Sequence, residues 1–305
     1  MAGLVPPTNL DGPVASPPVH SLVRCAPSPA ASAGRWELGF RYRADFCPDI
    51  ATYDPHCYDA PDPPPVPAPT PPPTPGQPGG GVTKTAAGDV GEWLDYLPVL
   101  AETVYQCDST GWTDADEGAA LRQLEAGTPK AVGYEFWTGE KRPSNRHLAS
   151  TDADDVTPVA GTPTSAAFAL AALIQALANC GGGGRGMIHV PPFLATTWAC
   201  ANCLIEEGGC LVTRVGHHIV VPDPGYPGTG PDGGIPPDGA TWAYATGIVQ
   251  VLLGAPQVLR PDAGGLVTAT VGASHGVVNA MERRAERAFA AWWGCCHAAV
   301  LTEAC

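Results

Sequence analysis

The spacing of apolar positions divides this chain into an extended N-terminal part and a body dense in short elements. In RWELGFRYR, residues 35–43, bulky and polar side chains alternate with the period of a strand covered on one face. Thr113 with Asp116 three residues on forms a capping box, EGAALRQLEA continues it as a short amphipathic helix, and Gly127 supplies the stop. AVGYEFWTG, residues 131–139, reads as strand-like, part of a hairpin or extended loop. Residues 140–163 are polar, with turn signals at Pro143, Pro158 and Pro163. The most apolar element is SAAFALAALIQALANC, residues 165–180, capped by Thr164 or Ser165 and ended by the glycines after Cys180. It is apolar on nearly every face, which calls for burial within protein, and it is too short to cross a bilayer.

Downstream, GMIHV (186–190) predicts a buried strand. PPFLATTWACANCLIEEGG begins with a proline suited to a first helical turn and keeps helical spacing to its glycine stop. CLVTRV and HHIVVP are short strands separated by Gly216, and DPGYPGTGPDGGIPPDG is a long turn-rich loop. TWAYATGIVQVLLG is a strand pair or one bent strand, VTATV is another strand, and ERRAERAFAAWWGCCHAAVLT closes the chain. Helices and strands mix without a regular βαβ repeat, so the fold class is α+β.

Composition changes the picture mainly at the N-terminus. Residues 1–33 are rich in Pro, Ala and Ser and read as an extended arm, while 59–82 is a polyproline stretch ending in glycines, a stiff spacer with a hinge. Glycine (37) and proline (35) are abundant, but 44% of residues are hydrophobic and eight are Trp, so an ordered body accompanies the loop-rich segments. The organisation expected is an arm with a strand at 1–58, a Pro/Gly-rich linker at 59–88, an extended-loop and short-helix region at 89–163, and the body at 164–305. Removing 1–82 is expected to leave that body folded.

The formal net charge of −14 opposes long-range attraction to phosphate and argues against a nucleic-acid groove. Met1–Leu10 lacks the pattern of a secretion signal, and no apolar run reaches the roughly 18 residues of a membrane span. Both point to a cytosolic origin. Only Lys84, Lys130 and Lys141 represent lysine, whereas Arg and Ala are plentiful, a bias of GC-rich coding that suggests an actinobacterial type of host. The eleven cysteines are an odd number, so at least one is a thiol or is bonded to another molecule.

Several groupings resemble chemistry and fall short of it. Cys200 and Cys203, with Cys210, Cys295, Cys296 and His297, could supply zinc ligands, but the C-x-x-C lies in an expected helix and the adjacent Cys295 and Cys296 would diverge on a strand. Core thiols or disulfides are the expectation. CGGGGRG (180–186) lacks the G-K-[ST] ending of a phosphate loop and follows a helix instead of opening one. His217 and His218 should face opposite ways, His189 reads as a core histidine, and Asp152, Asp154 and Asp155 as a solvated loop. There is no G-x-S-x-G. No catalytic, cofactor-binding or metal-ligating residues are assigned, and no cofactor or small-molecule substrate is expected.

From Ser165 onward the order of elements resembles the tailed-phage major capsid (coat) fold, which encapsulins share. The matching parts are the helix 165–179, GMIHVPP (186–192), the helix around 193–206, EEGGCLVTRVGHHIVVPDPGYPG (206–228), WAYATGIVQVLLG (242–254) and NAMERRAERAFAAWWGCCHAAVL (279–301). GMIHVPPFL, GYPGTGP and WAYATG are also similar to virion structural proteins of actinobacterial phages. The resemblance implies a phage coat-type α+β fold with a buried helix, a mixed-sheet body, an extended loop placed at 131–163, and a Pro-rich arm. It implies a self-assembling major capsid subunit in the virion, made in the host cytoplasm. Its expected partners are copies of itself, other phage structural proteins and packaged DNA held without sequence specificity, with no membrane involved. The alternatives are a minor virion protein (decoration, head–tail connector or tail component) or a cysteine-stabilised binding module. Trp36, Phe40, Trp137, Trp292 and Trp293 are candidate interface anchors, with core packing as the competing role.

Overall fold

A computed structural model describes residues 18–28, 39–43, 93–107, 114–180, 185–259 and 281–304. The linker 59–88, the strand expected at VTATV, Trp36 and the arm before Pro18 lie outside these residues. The described helices are α1 (Leu22–Cys25), α2 (Asp114–Thr138), α3 (Ala166–Cys180) and α4 (Pro192–Cys200). The strands begin with β1 (Phe40–Arg43), β2 (Trp93–Tyr96), β3 (Val99–Cys107), β4 (Asp154–Asp155), β5 (Met187–Val190), β6 (Leu204–Glu207) and β7 (Cys210–Thr213). They continue with β8 (Ile219–Pro222), β9 (Ala240–Thr246), β10 (Val249–Leu253), β11 (Gln257–Leu259), β12 (Met281–Trp293) and β13 (His297–Glu303). Helices and mixed sheets combine in one α+β body, as the sequence predicts.

Two sheets organise the body. A seven-stranded mixed sheet runs β4-β13-β9-β5-β8-β7-β6, with β4/β13 and β5/β8 parallel and the other pairs antiparallel. In the other, the long β12 pairs with β3 along one edge and with β10 and β11 end to end along the other. Two of the chain's crossings between the sheets, at Gly247 and at Gly294–Cys296, touch: Gly247 N donates to Cys295 O at 2.8 Å. A side chain at Gly247 would press on that same carbonyl, so the crossing requires glycine. A two-stranded ribbon, β1 with β2, lays Phe40, Tyr42 and Tyr96 over Trp292.

The seven-stranded sheet is covered on both faces. One face (Ile188, Val190, Val220, Ala243, Ala245, Val300) packs under Leu170, Leu173 and Leu177 of α3 and Leu194 and Trp198 of α4. The other face (Met187, Val221, Tyr244, Ala299) shares its core with α2 and with β12 residues Ala285, Phe289, Ala291 and Trp293.

The sequence reading differs from the structure most at α2. Gly127 does not stop the helix, and 131–138 is helical, neither strand nor extended loop. Buried Ala120, Leu124, Thr128, Val132 and Phe136 recur every fourth residue straight through Gly127 and Pro129. Proline inside a helix costs about 3 kcal/mol. Burying Val132, Phe136 and Trp137 each returns roughly 1.5–3 kcal/mol, so packing outweighs the local penalty. The Thr128 hydroxyl bonds Leu124 O at 2.6 Å within the same turn.

Other corrections are smaller. The helix expected up to Gly208 ends at Cys200, because Asn202 takes a left-handed conformation (φ 57°) and Leu204–Glu207 pairs with β7 across the Gly208–Gly209 turn. Residues 93–107, left without an element in the sequence reading, form β2 and β3. Cys295 and Cys296 lie in a turn, with Cys296 at φ 63°, and not in a strand. The helix 165–180 buries only one face in a single chain. Ala167, Phe168, Ala171, Gln175, Ala178 and Asn179 face outward, and Phe168 is 68% exposed.

Gly133 and Gly225 bring α2 against the loop after β8. A Cβ on Gly225 would collide with the Lys130 carbonyl and the Tyr134 amide, and one on Gly133 with the Asp223 carboxylate. Gly225→Ala is therefore expected to destabilise the protein by about 2 kcal/mol through forced backbone separation. A thermal melt with an unchanged midpoint would show that α2 can step back at no cost.

Candidate functional site

Sequence reasoning assigned no catalytic or ligand-binding set, and the structure redistributes the residues it weighed. Cys210 is bonded to Cys25 and Cys296 to Cys180, which withdraws both from a shared zinc set with Cys200 and Cys203. Cys200 and Cys203 are free thiols. Among the described residues no group of His, Cys, Asp and Glu is arranged to hold a metal ion. His217 points to Glu207 (3.7 Å), whereas buried His218 accepts the Gly186 amide on Nδ1 at 3.1 Å, so the pair diverges as expected. Asp154 and Asp155 form the exposed edge strand β4. Asp152 instead turns toward His297 and Arg146.

Of the proposed interface anchors, Trp137 and Trp293 are wholly buried and Trp292 nearly so, while Phe40 packs on Trp292. Core packing is their role. Trp137 donates its indole N–H to Thr229 O and lies against Tyr226 and Tyr244.

Two buried polar constellations were not legible beforehand. The first clasps the N-terminal segment to the body. The Leu22 side chain is fully buried in the main core, and its amide donates to Asp223 Oδ2 at 2.8 Å. The Gly225 amide donates to Asp223 Oδ1 at 2.8 Å, closing an Asx turn. His20 Nδ1 meets Gly209 O at 3.2 Å, and the Cys25–Cys210 bridge joins the same strand edge. Burial pushes the Asp223 carboxyl up to about 6, even though both amides favour its charged form. Residues 18–28 are thus part of the body's core, so a 1–82 deletion removes core side chains and β1 together. One helical turn carrying Leu22 and Cys25 is too short to show as a period; the Asp-Pro-Gly following β8 was the available signal for the turn that receives it.

The second constellation is a pair of histidines inside the body. His189 sits between the Tyr226 hydroxyl and the Thr246 hydroxyl, each at 2.9 Å. His297 Nε2 is 2.9 Å from Leu148 O, so it is the protonated nitrogen, while Nδ1 makes no hydrogen bond and faces Asp152 Oδ1 at 3.4 Å. Burial holds His189 down to about 3. Burial likewise holds His297 down to about 4, against the opposing pull of Asp152. Both are neutral packing residues with their hydrogen bonds turned inward. The arrangement orients core elements; it offers no open reaction site.

The exterior is the surface left to act. Phe168 on α3, Phe193 on α4, Leu100 and Val104 on β3, and Ile235 in the loop after β8 all stand exposed. Scattered single hydrophobics are ordinary; the outer face of α3 sets Phe168 and three alanines beside a Gln175–Asn179 hydrogen bond.

No protein-family model matches the chain, and no curated protein matches its sequence. Solved structures do match by shape. The capsid of a native GTA particle superposes with a TM-score of 0.51 at 10% identity, covering 97% of this chain and 99% of that one. The chain has the coat fold. Its likeness to phage capsids and encapsulins extends to the capsid of an empty GTA particle (TM-score 0.47, 12% identity, 97% and 99% covered). It also reaches an encapsulin from Synechococcus elongatus (TM-score 0.44, 9% identity, 70% and 79% covered). In this coat fold the layers described above, α2 beneath the long β12 sheet and α3–α4 beneath the seven-stranded sheet, form the rigid body that carries the exposed surfaces.

Proposed function

We propose that this chain is a major capsid subunit that assembles with copies of itself into an icosahedral shell around phage DNA. Its place is the virion, and it assembles in the host cytoplasm beside other phage structural proteins. The observation that carries the reading is the coat fold along nearly the whole length of a capsid protein of similar size. The exposed Phe168 on the outer face of α3 supports it, as does the inward turn of the His189 hydrogen bonds to Tyr226 and Thr246. Repeated head-to-tail contacts between different patches of identical subunits close into rings or shells. The net charge of −14 opposes adhesion of such a shell to the phosphates of packaged DNA.

Electron microscopy with mass photometry of the untagged protein, alone and with its neighbouring gene products, tests this. Closed shells or uniform capsomer rings are expected, and a monomer under every condition would refute the reading. Phe168→Asp gives a sharper form of the test. Being surface-exposed, it should change the melting behaviour by no more than about 0.5 kcal/mol. Assembly should nevertheless be lost, and normal particles from this variant would show that α3 is not a contact surface.

A further inference from the structure

A concavity lined by three basic side chains lies over the end of the four-stranded sheet. It encloses about 550 Å³. Lys141 and Arg142, just past the end of α2, and Arg287 of β12 supply its charge, with Glu286 as the one carboxylate. Its remaining walls include apolar Pro98, Leu100 and Ala255. Leu100 is 59% exposed. Arg287 Nε is buried and has no hydrogen-bond partner among the described residues. The backbone amides of Lys141 and Arg142 are fixed by the buried Glu135 carboxylate, at 3.0 and 2.9 Å, so the rim is held in place. Lys141 is paired with Glu140 at 2.5 Å, so Arg142 and the desolvated Arg287 guanidinium are the cations left to receive an incoming anion.

The same molecule carries a feature of the opposite character. In the loop 231–239, PDGGIPPDG, Ile235 is 90% exposed between the exposed carboxylates of Asp232 and Asp238. The loop is pre-shaped. Gly230 N bonds Gly234 O at 2.8 Å, Gly233 N bonds Gly230 O at 3.0 Å and Ala240 N bonds Pro237 O at 3.0 Å. Pro236 and Pro237 restrict it further. A rigid knob loses little entropy on docking. Its own chain leaves the Ile235 side chain almost untouched.

We infer that the Asp232–Ile235–Asp238 loop of one copy docks into the Lys141–Arg142–Arg287 cavity of a second copy. The carboxylates meet the cations and Ile235 meets the Pro98, Leu100 and Ala255 walls. In a chain with 30 acidic against 16 basic residues, a cationic cavity finds its complement on another copy of the same surface. Loop and cavity belong to different sheets, so the contact is head-to-tail and propagates from subunit to subunit. The inference rests on the capsid reading and assigns it one specific interface.

Charge exchange tests it. Three full-length variants are compared with wild type by mass photometry and thermal melting: Lys141→Glu/Arg142→Glu, Asp232→Lys/Asp238→Lys, and all four changes together. All these side chains are exposed; losing the surface Lys141–Glu140 pair and placing Lys at Asp232 (φ 62°) should each lower the melting midpoint by only a few degrees. Each two-site reversal is expected to lower the assembled fraction by at least about tenfold, and the four-site exchange to restore it. If the two-site variants assemble like wild type, or the four-site exchange fails to rescue them, the docking assignment is wrong while the capsid reading stands. If wild type itself never assembles, the capsid reading falls and the docking assignment with it.

Discussion

Replacing Cys25 with Ser should lower the unfolding free energy of the oxidised protein by about 4–5 kcal/mol, the largest single-site effect expected here. The bridge to Cys210 spans 185 residues of sequence. Closing so long a loop restricts the unfolded chain strongly, and the cost of losing that restriction grows only logarithmically with length. The second bridge, Cys180–Cys296, spans 116 residues and overlaps that loop only between Cys180 and Cys210, so it leaves most of the restriction to Cys25–Cys210. Urea titrations of wild type and Cys25→Ser, both oxidised, measure the difference. The variant's midpoint should fall, and wild type treated with reductant, which also loses Cys180–Cys296, should fall further. Coincident midpoints would mean that the bridge does not form in solution. Even without it, the buried Leu22 side chain and its amide bond to Asp223 hold α1 in place.

Acid should weaken the fold well before the carboxylates of the surface titrate. His189 and His297 remain neutral in the folded state down to about 3 and about 4, whereas an unfolded histidine takes up its proton near 6.5. Their folded values are depressed. Each therefore contributes stability that is complete above 6.5 and declines at about 1.4 kcal/mol per pH unit below it, until the folded value is reached. At pH 5 the two together cost about 4 kcal/mol relative to pH 7. Asp223 acts in the opposite sense. Its folded value is raised to about 6, so its burial penalty is relieved as pH falls from there toward 3.8, returning about 1.4 kcal/mol by pH 5. The net expectation is a loss of about 2–3 kcal/mol between pH 7 and pH 5. Urea midpoints at the two values check it. His297→Gln, which keeps a donor toward Leu148 O, should remove about half of the histidine contribution to the slope. A stability that is level or rising over this interval would show that the two imidazoles are not held neutral.

Local pattern carried much of this architecture. The apolar run at 165–180, the strand at 187–190, the proline-led helix after it and the strands around Gly216 all appear where the sequence places them. Each is short, and its period, cap or breaker lies within its own span. The order of these pieces was enough to suggest a coat-type α+β fold. The failures occurred where distant contacts overrule local signals. Gly127 and Pro129 mark the end of a helix by any local criterion, yet α2 continues because Val132, Phe136 and Trp137 gain more from the core than Pro129 costs.

The functional surfaces divide in the same way. Sequence alone determined that the chain is acidic, rich in cysteine and built of mixed elements, because these follow from residue type and near-neighbour order. Only the tertiary structure decided that Cys25 finds Cys210, that Asp223 receives the amide of Leu22, and that Trp137 and Trp293 lie in the core instead of at an interface. It also decided which face of α3 is left for a neighbour. Those are pairings between residues far apart in the chain, and no local period encodes them. They are chosen by what the whole fold buries and what it leaves in water.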